Sequence, residues 1–223
     1  MSRASRSRVV LGALVLFALP LVGPALAQTA GAPKTVPAPF ETDSDVGDVK
    51  VPGSTVFDPG RGEVRLTASG LNLWGAVDAF RFLSRRVSGD VDLSAAISFV
   101  GEGRNPHRKA GLMVRASLAP DAPYAHAVVH GDGLVSLQYR DHPGGETKEV
   151  RASLKTVPVV LHLSRRGDVF TMLASTPGAP PQQAASIRLA LPAASHAGLT
   201  ACSHEADWLE TAVFTGAQVA PKP

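Results

Sequence analysis

Three features of this 223-residue chain predict an all-β fold, two antiparallel sheets packed as a sandwich. Apolar and polar residues alternate with period two in many short runs. Clusters of Gly, Pro, Asp and Asn separate these runs about every ten residues. No stretch carries the roughly 3.6-residue repeat of a long amphipathic helix.

The first 27 residues stand outside this pattern. Arg3, Arg6 and Arg8 form a positive n-region, Val9 to Leu19 is an apolar run, and Ala25-Leu26-Ala27 is a small-x-small cleavage signal before Gln28. This reads as a secretory signal peptide over 1–27, so the mature chain is expected in the periplasm or outside the cell. Pro20 and Pro24 interrupt the run short of the ~20 apolar residues that a membrane span needs. No membrane association is expected after cleavage. Residues 28–39, "QTAGAPKTVPAP", read as an Ala/Pro-rich linker. Residues 40–217 carry the alternation and form the sandwich domain, and 218–223 read as a short tail.

Within 40–217 the alternation is clearest at Val64-Leu66-Ala68 and at Leu93-Ala95-Ile97-Phe99. Further strands are expected near 80–87, 111–117, 124–130, 134–140, 157–164, 168–174, 186–191, 197–202 and 209–215. The punctuation between them includes "DPGRG", "GEGRNP", "APDAP", "HPGG", "RRGD" and "TPGAPP".

Charge excludes some partners. The chain has 22 Lys+Arg and 19 Asp+Glu, and three arginines but no acids leave with the signal peptide. A mature chain balanced at 19 of each has no long-range attraction for nucleic acid or an anionic bilayer. The short clusters Arg85-Arg86 and His107-Arg108-Lys109 read as solvated faces. A lone Cys202 forms no internal disulfide, so stability must come from a core, and Cys202 itself reads as a small buried hydrophobe.

The most informative stretch is "YAHAVVHGDGLVSLQYR", 124–140. Read as two strands joined by "GDG", it places Tyr124, His126, Val128 and His130 on one face and Ala125, Ala127 and Val129 on the other. Val135, Leu137 and Tyr139 extend the apolar face; Gln138 and Arg140 extend the polar one. Arg115, in "GLMVRAS", is assigned to the same polar face. His126 and His130 would form a metal pair on a helix, but on a strand they lie about 13 Å apart, too far to share one ion at about 2.1 Å. No metal and no cofactor is expected. A row of His, Gln and Arg suits hydrogen bonding to hydroxyl groups. In "NLWGAVDAF", Trp74 could stack on a sugar ring and Asp78 could accept from its hydroxyls.

This stretch, with "PHRKAGLMVRASL" (106–118), "DVGDVKVPGSTVFDPGRGEVRLTASGLNLWGAVDAFRFL" (45–83) and "CSHEADWLETAVFTG" (202–216), resembles the concanavalin A-like β-sandwich domains of the uncharacterised enolase-regulation-like type. The likeness covers nearly all of 40–217. It implies a jelly-roll of two opposed sheets with one concave face, a face that binds glycans in related lectin-like modules. It implies no reaction. Glu205-x-Asp207-x-x-Glu210 also matches the ExDxxE spacing of family 16 glycoside hydrolases, in which the glutamates serve as nucleophile and acid/base ~5–5.5 Å apart. Here the acids stand at the very end of the domain, and aromatics are only 5% of the chain. The expectation is therefore a non-catalytic exported module with a glycan ligand on Arg115, His126, His130, Gln138, Arg140, Trp74 and Asp78. A hydrolase using Glu205 and Glu210, and a periplasmic domain that docks a protein partner, are the alternatives.

Overall fold

A computed structural model describes Met1 and residues 36–222. The signal peptide assigned to 1–27, and the linker up to residue 35, lie outside the described residues. The described chain is all-β, with sixteen strands and no helix.

The first sheet contains β1 (Thr42–Val46), β6 (Phe80–Ser88), β8 (Lys109–Arg115), β9 (Tyr124–His130), β10 (Leu134–Arg140), β11 (Lys148–Lys155) and β15 (Ala194–Cys202). Its order is β1-β6-β15-β8-β9-β10-β11. The second contains β2 (Ser54–Asp58), β3 (Glu63–Gly70), β7 (Val91–Phe99), β12 (Val159–Arg166), β13 (Val169–Ser175), β14 (Gln182–Arg188) and β16 (Glu205–Pro221). Its order is β14-β13-β12-β7-β16-β3-β2, and every pairing in both sheets is antiparallel. A separate two-stranded hairpin joins β4 (Leu73–Trp74) to β5 (Val77–Asp78).

Alternation decides which residues face inward. Leu66, Leu93, Ile97, Leu161, Leu163, Phe170 and Phe214 from one sheet meet Leu83, Leu112, Val114, Leu137 and Leu199 from the other in a continuous core. Each such side chain contributes about 1.5–3 kcal/mol on burial. The small side chains of β9, Ala125, Ala127 and Val129, belong to this inner face.

The structure adds strands that alternation does not mark and extends one that it does. Residues 218–221, expected as a tail, continue β16 in register with β7, Gln218 opposite Ser94 and Pro221 opposite Val91. Edge strand β1 is held by ions: Arg81 lies 2.6 Å from Asp43 and 3.3 Å from Asp45. Neither Arg108 nor Lys109 is a solvated surface charge. Both are buried, and Arg108 donates to Glu210 (2.8 Å) and to the Gly101 carbonyl (2.7 Å), tying the β7–β8 connection to β16.

Candidate functional site

The β9–β10 hairpin forms as its sequence requires. Val135 pairs with Val129, Gly133 takes φ +86° in the turn, and Asp132 caps the Leu134 amide at 3.0 Å. On the outer face of the first sheet, Gln138 stands opposite His126, and Arg115 and Arg140 both stand opposite Tyr124. The expected polar row therefore exists as a row. It is divided into a closed half and an open half by what lies over it.

The closed half is roofed by the β4–β5 hairpin and the β8–β9 connection. Asp78 reaches down between two arginines: its Oδ1 and Oδ2 accept from Arg140 (2.8 and 2.9 Å), and Oδ2 also accepts from Arg115 (3.2 Å). All three side chains are fully enclosed. Arg140 further donates to the carbonyls of Gly75 (2.7 Å), Gly145 (2.9 Å) and Ala122 (3.1 Å), while Arg115 donates to Ser117 (2.7 Å) and Ala119. These bonds tie the roof to the sheet. Arg115, Arg140 and Asp78, assigned from sequence to a ligand floor, are thus committed to one another and to backbone carbonyls, with no side chain reaching solvent. Burial pushes the Arg115 guanidinium below its ordinary value. That of Arg140 lies above its ordinary value: the hydrogen bonds and charge of Asp78 outweigh burial, its largest single influence. Alternation could not reveal this, because it assigns a face and not what covers it.

His126 belongs to the closed half too. Its Nε2 lies 2.7 Å from the Thr200 hydroxyl, and burial drives it well below the ordinary imidazole value. The ring has room because its neighbour Gly111 has no side chain; a Cβ there would stand 2.6 Å from His126 Nε2 and 2.2 Å from the Ala127 carbonyl oxygen. Cys202 is buried on this face against Leu73, Phe80 and Met113, and burial pushes its thiol up to about 11.

The open half is a pocket of about 220 Å³. His130 and Gln138 lie in its floor beside Lys109, and Trp74 forms part of its wall at 38% exposure. Of the sequence-assigned residues, the structure therefore brings Trp74, His130 and Gln138 together. Gln138 Nε2 donates to His130 Nε2 at 3.2 Å, so the neutral ring carries its proton on Nδ1. That Nδ1 and Gln138 Oε1 are buried without a protein partner. Burial, then the nearby Lys109 charge, pushes His130 down to about 3.

Sequence reasoning missed Lys109, Asn72, Glu149, Arg151, His107 and His204, which complete the lining. Register explains their arrival: Lys109 pairs with His130, Glu149 with Gln138, and Arg151 with Ser136. Lys109 is 3% exposed and donates to Asn72 Oδ1, while Arg151 pairs with Glu149 at 2.6 Å. His204 is the one non-glycine residue with positive φ among the described residues, at +63°. Its ring lies 5.5 Å from that of His107, which lies 5.9 Å from His130. Among the described residues no group of three His, Cys, Asp or Glu is arranged to hold a metal ion.

The acids of the alternative hydrolase reading stand elsewhere. Glu210 is buried in β16 and accepts from Arg108 (2.8 Å) and the Arg104 amide (2.9 Å); Glu205 accepts from Asn105 (3.0 Å); Asp207 is exposed. None of them lines the pocket. Trp208 carries Arg104 stacked 3.4 Å from its ring centre.

No family model matches the chain, and no curated protein does. Solved structures do share its fold. A functionally unknown protein from Saccharomyces cerevisiae is similar at TM-score 0.58 and 16% identity, covering 77% of this chain and 97% of that one. The carbohydrate binding module CBM66 from Bacillus subtilis is similar at TM-score 0.55 and 16% identity, covering 82% and 97%. Lectin II from Ulex europaeus is similar at TM-score 0.50 and 8% identity, covering 81% and 98%. The chain is an all-β jelly-roll sandwich of two antiparallel sheets.

Proposed function

We propose that this chain is an exported, non-catalytic carbohydrate-binding module that holds a sugar in the pocket walled by Trp74. One observation carries the reading. An accessible tryptophan stands beside a buried floor in which His130 Nδ1 and Gln138 Oε1 lack protein partners. An aromatic face packs on the apolar side of a sugar ring, and buried donors and acceptors without partners select hydroxyl groups that complete them. The pocket is smaller than the ~300–1,000 Å³ of drug-sized sites, so it takes one ring or a chain end rather than a long segment. The likeness in fold to a carbohydrate-binding module and a lectin supports the reading. The n-region, apolar run and cleavage signal support export to the periplasm or beyond. The motifs at 45–83, 106–140 and 202–216 support placing the chain with the concanavalin A-like domains of the enolase-regulation-like type.

A glycan array probed with the full chain and with Trp74→Ala tests this. Binding of a defined glycan by the unaltered chain, weakened in the variant, is the expected result. An unaltered chain that binds nothing on the array, or binding indifferent to Trp74, would refute it.

A further inference from the structure

We infer that the sugar is an acidic one, its carboxylate or sulfate ester received by Lys109. This deepens the carbohydrate reading and rests on it. Lys109 projects from β8 into the pocket floor at 3% exposure, and Asn72 Oδ1 is its hydrogen-bond partner. An ammonium has three donors, and a neutral amide oxygen occupies one of them. Among the described residues Lys109 forms no ion pair, in contrast to the other enclosed cations on this face, Arg115 and Arg140, which share Asp78. Burying a charge without an ion-pair partner is costly, so a buried lysine that lines an open pocket is a site for an anion.

The rest of the lining agrees in sign. Glu149 is the one carboxylate among the lining residues, and Arg151 holds it at 2.6 Å. The pair sums to zero and leaves Lys109 as the net charge of the pocket. His107, His130 and His204 surround it as potential donors and bring no negative charge. Burial lowers Lys109 below the ordinary ammonium value, and a bound anion would reverse that shift. A neutral sugar would leave Lys109 without an ion-pair partner; an acidic sugar supplies one.

The test is calorimetric titration of the full chain with oligosaccharides of matched length: a glucuronate- or galacturonate-terminated one, a sulfated one and their neutral counterparts. One acidic arm is expected to bind at least about tenfold tighter than its neutral counterpart, a charge-assisted hydrogen bond converted to affinity. The preferred arm identifies the acid as carboxylate or sulfate. The preference should shrink in 0.5 M salt and vanish in Lys109→Met, with Lys109→Arg as a second variant that keeps the charge should the first fail to fold. Equal binding of acidic and neutral arms by the unaltered chain overturns the acidic assignment and leaves the carbohydrate reading standing. Binding of no arm, with no hit on a general glycan array, removes both.

Discussion

The Asp78 carboxylate grips the Arg140 guanidinium through two bonds, 2.8 and 2.9 Å, with both side chains fully buried. The pair joins a two-residue strand to β10, the strand next to the β11 edge of the first sheet. Its removal is costly in one direction only. Asp78→Ala leaves Arg115 and Arg140 enclosed without a counter-charge and should destabilise by about 3–5 kcal/mol. Urea denaturation measures this. A change under about 1 kcal/mol would mean the roof opens without cost, and that the enclosure described for these arginines is wrong.

Acid should destabilise the protein through its histidines. His130 titrates near 3 in the folded chain against 6.5 ordinarily, and His126 lies well below 6.5. Both are held neutral by burial, with Lys109 opposing their charge; Asp132 favours it at His130, and His107 and His204 oppose it there. Between about pH 6.5 and 3 the unfolded chain therefore binds protons that the folded chain does not, and stability falls as pH falls. Each such histidine contributes a slope of up to about 1.4 kcal/mol per pH unit. Denaturant midpoints at pH 7, 6, 5 and 4 should decline, and His130→Gln should flatten the decline. An unchanged slope in that variant would contradict the buried neutral ring.

Trp74 should separate binding from stability. At 38% exposure it contributes little to the core, so Trp74→Ala should shift folding stability by no more than about 0.5–1 kcal/mol. Sugar affinity should fall about tenfold, from roughly 1.5 kcal/mol of stacking. The only other tryptophan is Trp208, under Arg104. Ligand-induced fluorescence change should therefore disappear in Trp74→Phe and persist in Trp208→Phe.

His204 offers a test of backbone strain. At φ +63° glycine is at ease and other residues are not. His204→Gly should be more stable than His204→Ala by about 1 kcal/mol, measured by thermal melts of the two variants side by side. Equal stability would argue that the ring is not held by a left-handed backbone.

Gly111 is required by its neighbours rather than by its own torsions. Gly111→Ala drives a Cβ to 2.2 Å from the Ala127 carbonyl and 2.6 Å from His126 Nε2. The backbone contact cannot relax by a rotamer change, so a loss of about 1–3 kcal/mol is expected in denaturant titration. A neutral outcome would show that β8 and β9 can move apart.

The large strands were legible because a sandwich writes its geometry into alternation. In β7 buried and partly exposed residues alternate with little interruption, and 124–130 and 134–140 match β9 and β10 residue for residue. β1, "TDSDV", was not legible, since four of its five residues are polar and ion pairs with Arg81 hold it alongside the single buried apolar residue Val46. Nor were β4 and β5, at two residues each, too short to show a period. The division of the polar face followed from that omission. Arg115, Arg140 and His126 share a face with His130 and Gln138, as the pattern says, but the Leu73–Asp78 hairpin and the β8–β9 connection decide which of them line the pocket. Lys109 was hidden differently. "HRK" looks like a solvated cluster in one dimension, and only the pairing with His130 and Cys202 brings its side chain over the sheet.

The order of strands has a consequence for how the molecule is made. β15 lies between β6 and β8, and β16 lies between β7 and β3, so the last two strands of the sequence occupy the interior of both sheets. A nascent chain that ends before Ala194 holds four half-sheets: β1-β6, β8 through β11, β14 through β7, and β3-β2. Each has an open edge where its central neighbour belongs, and open edges recruit other strands. Native assembly must wait for β15 and β16, which close each sheet from its interior. The fold therefore depends on β15 and β16 arriving before the waiting edges find one another in the wrong pairing.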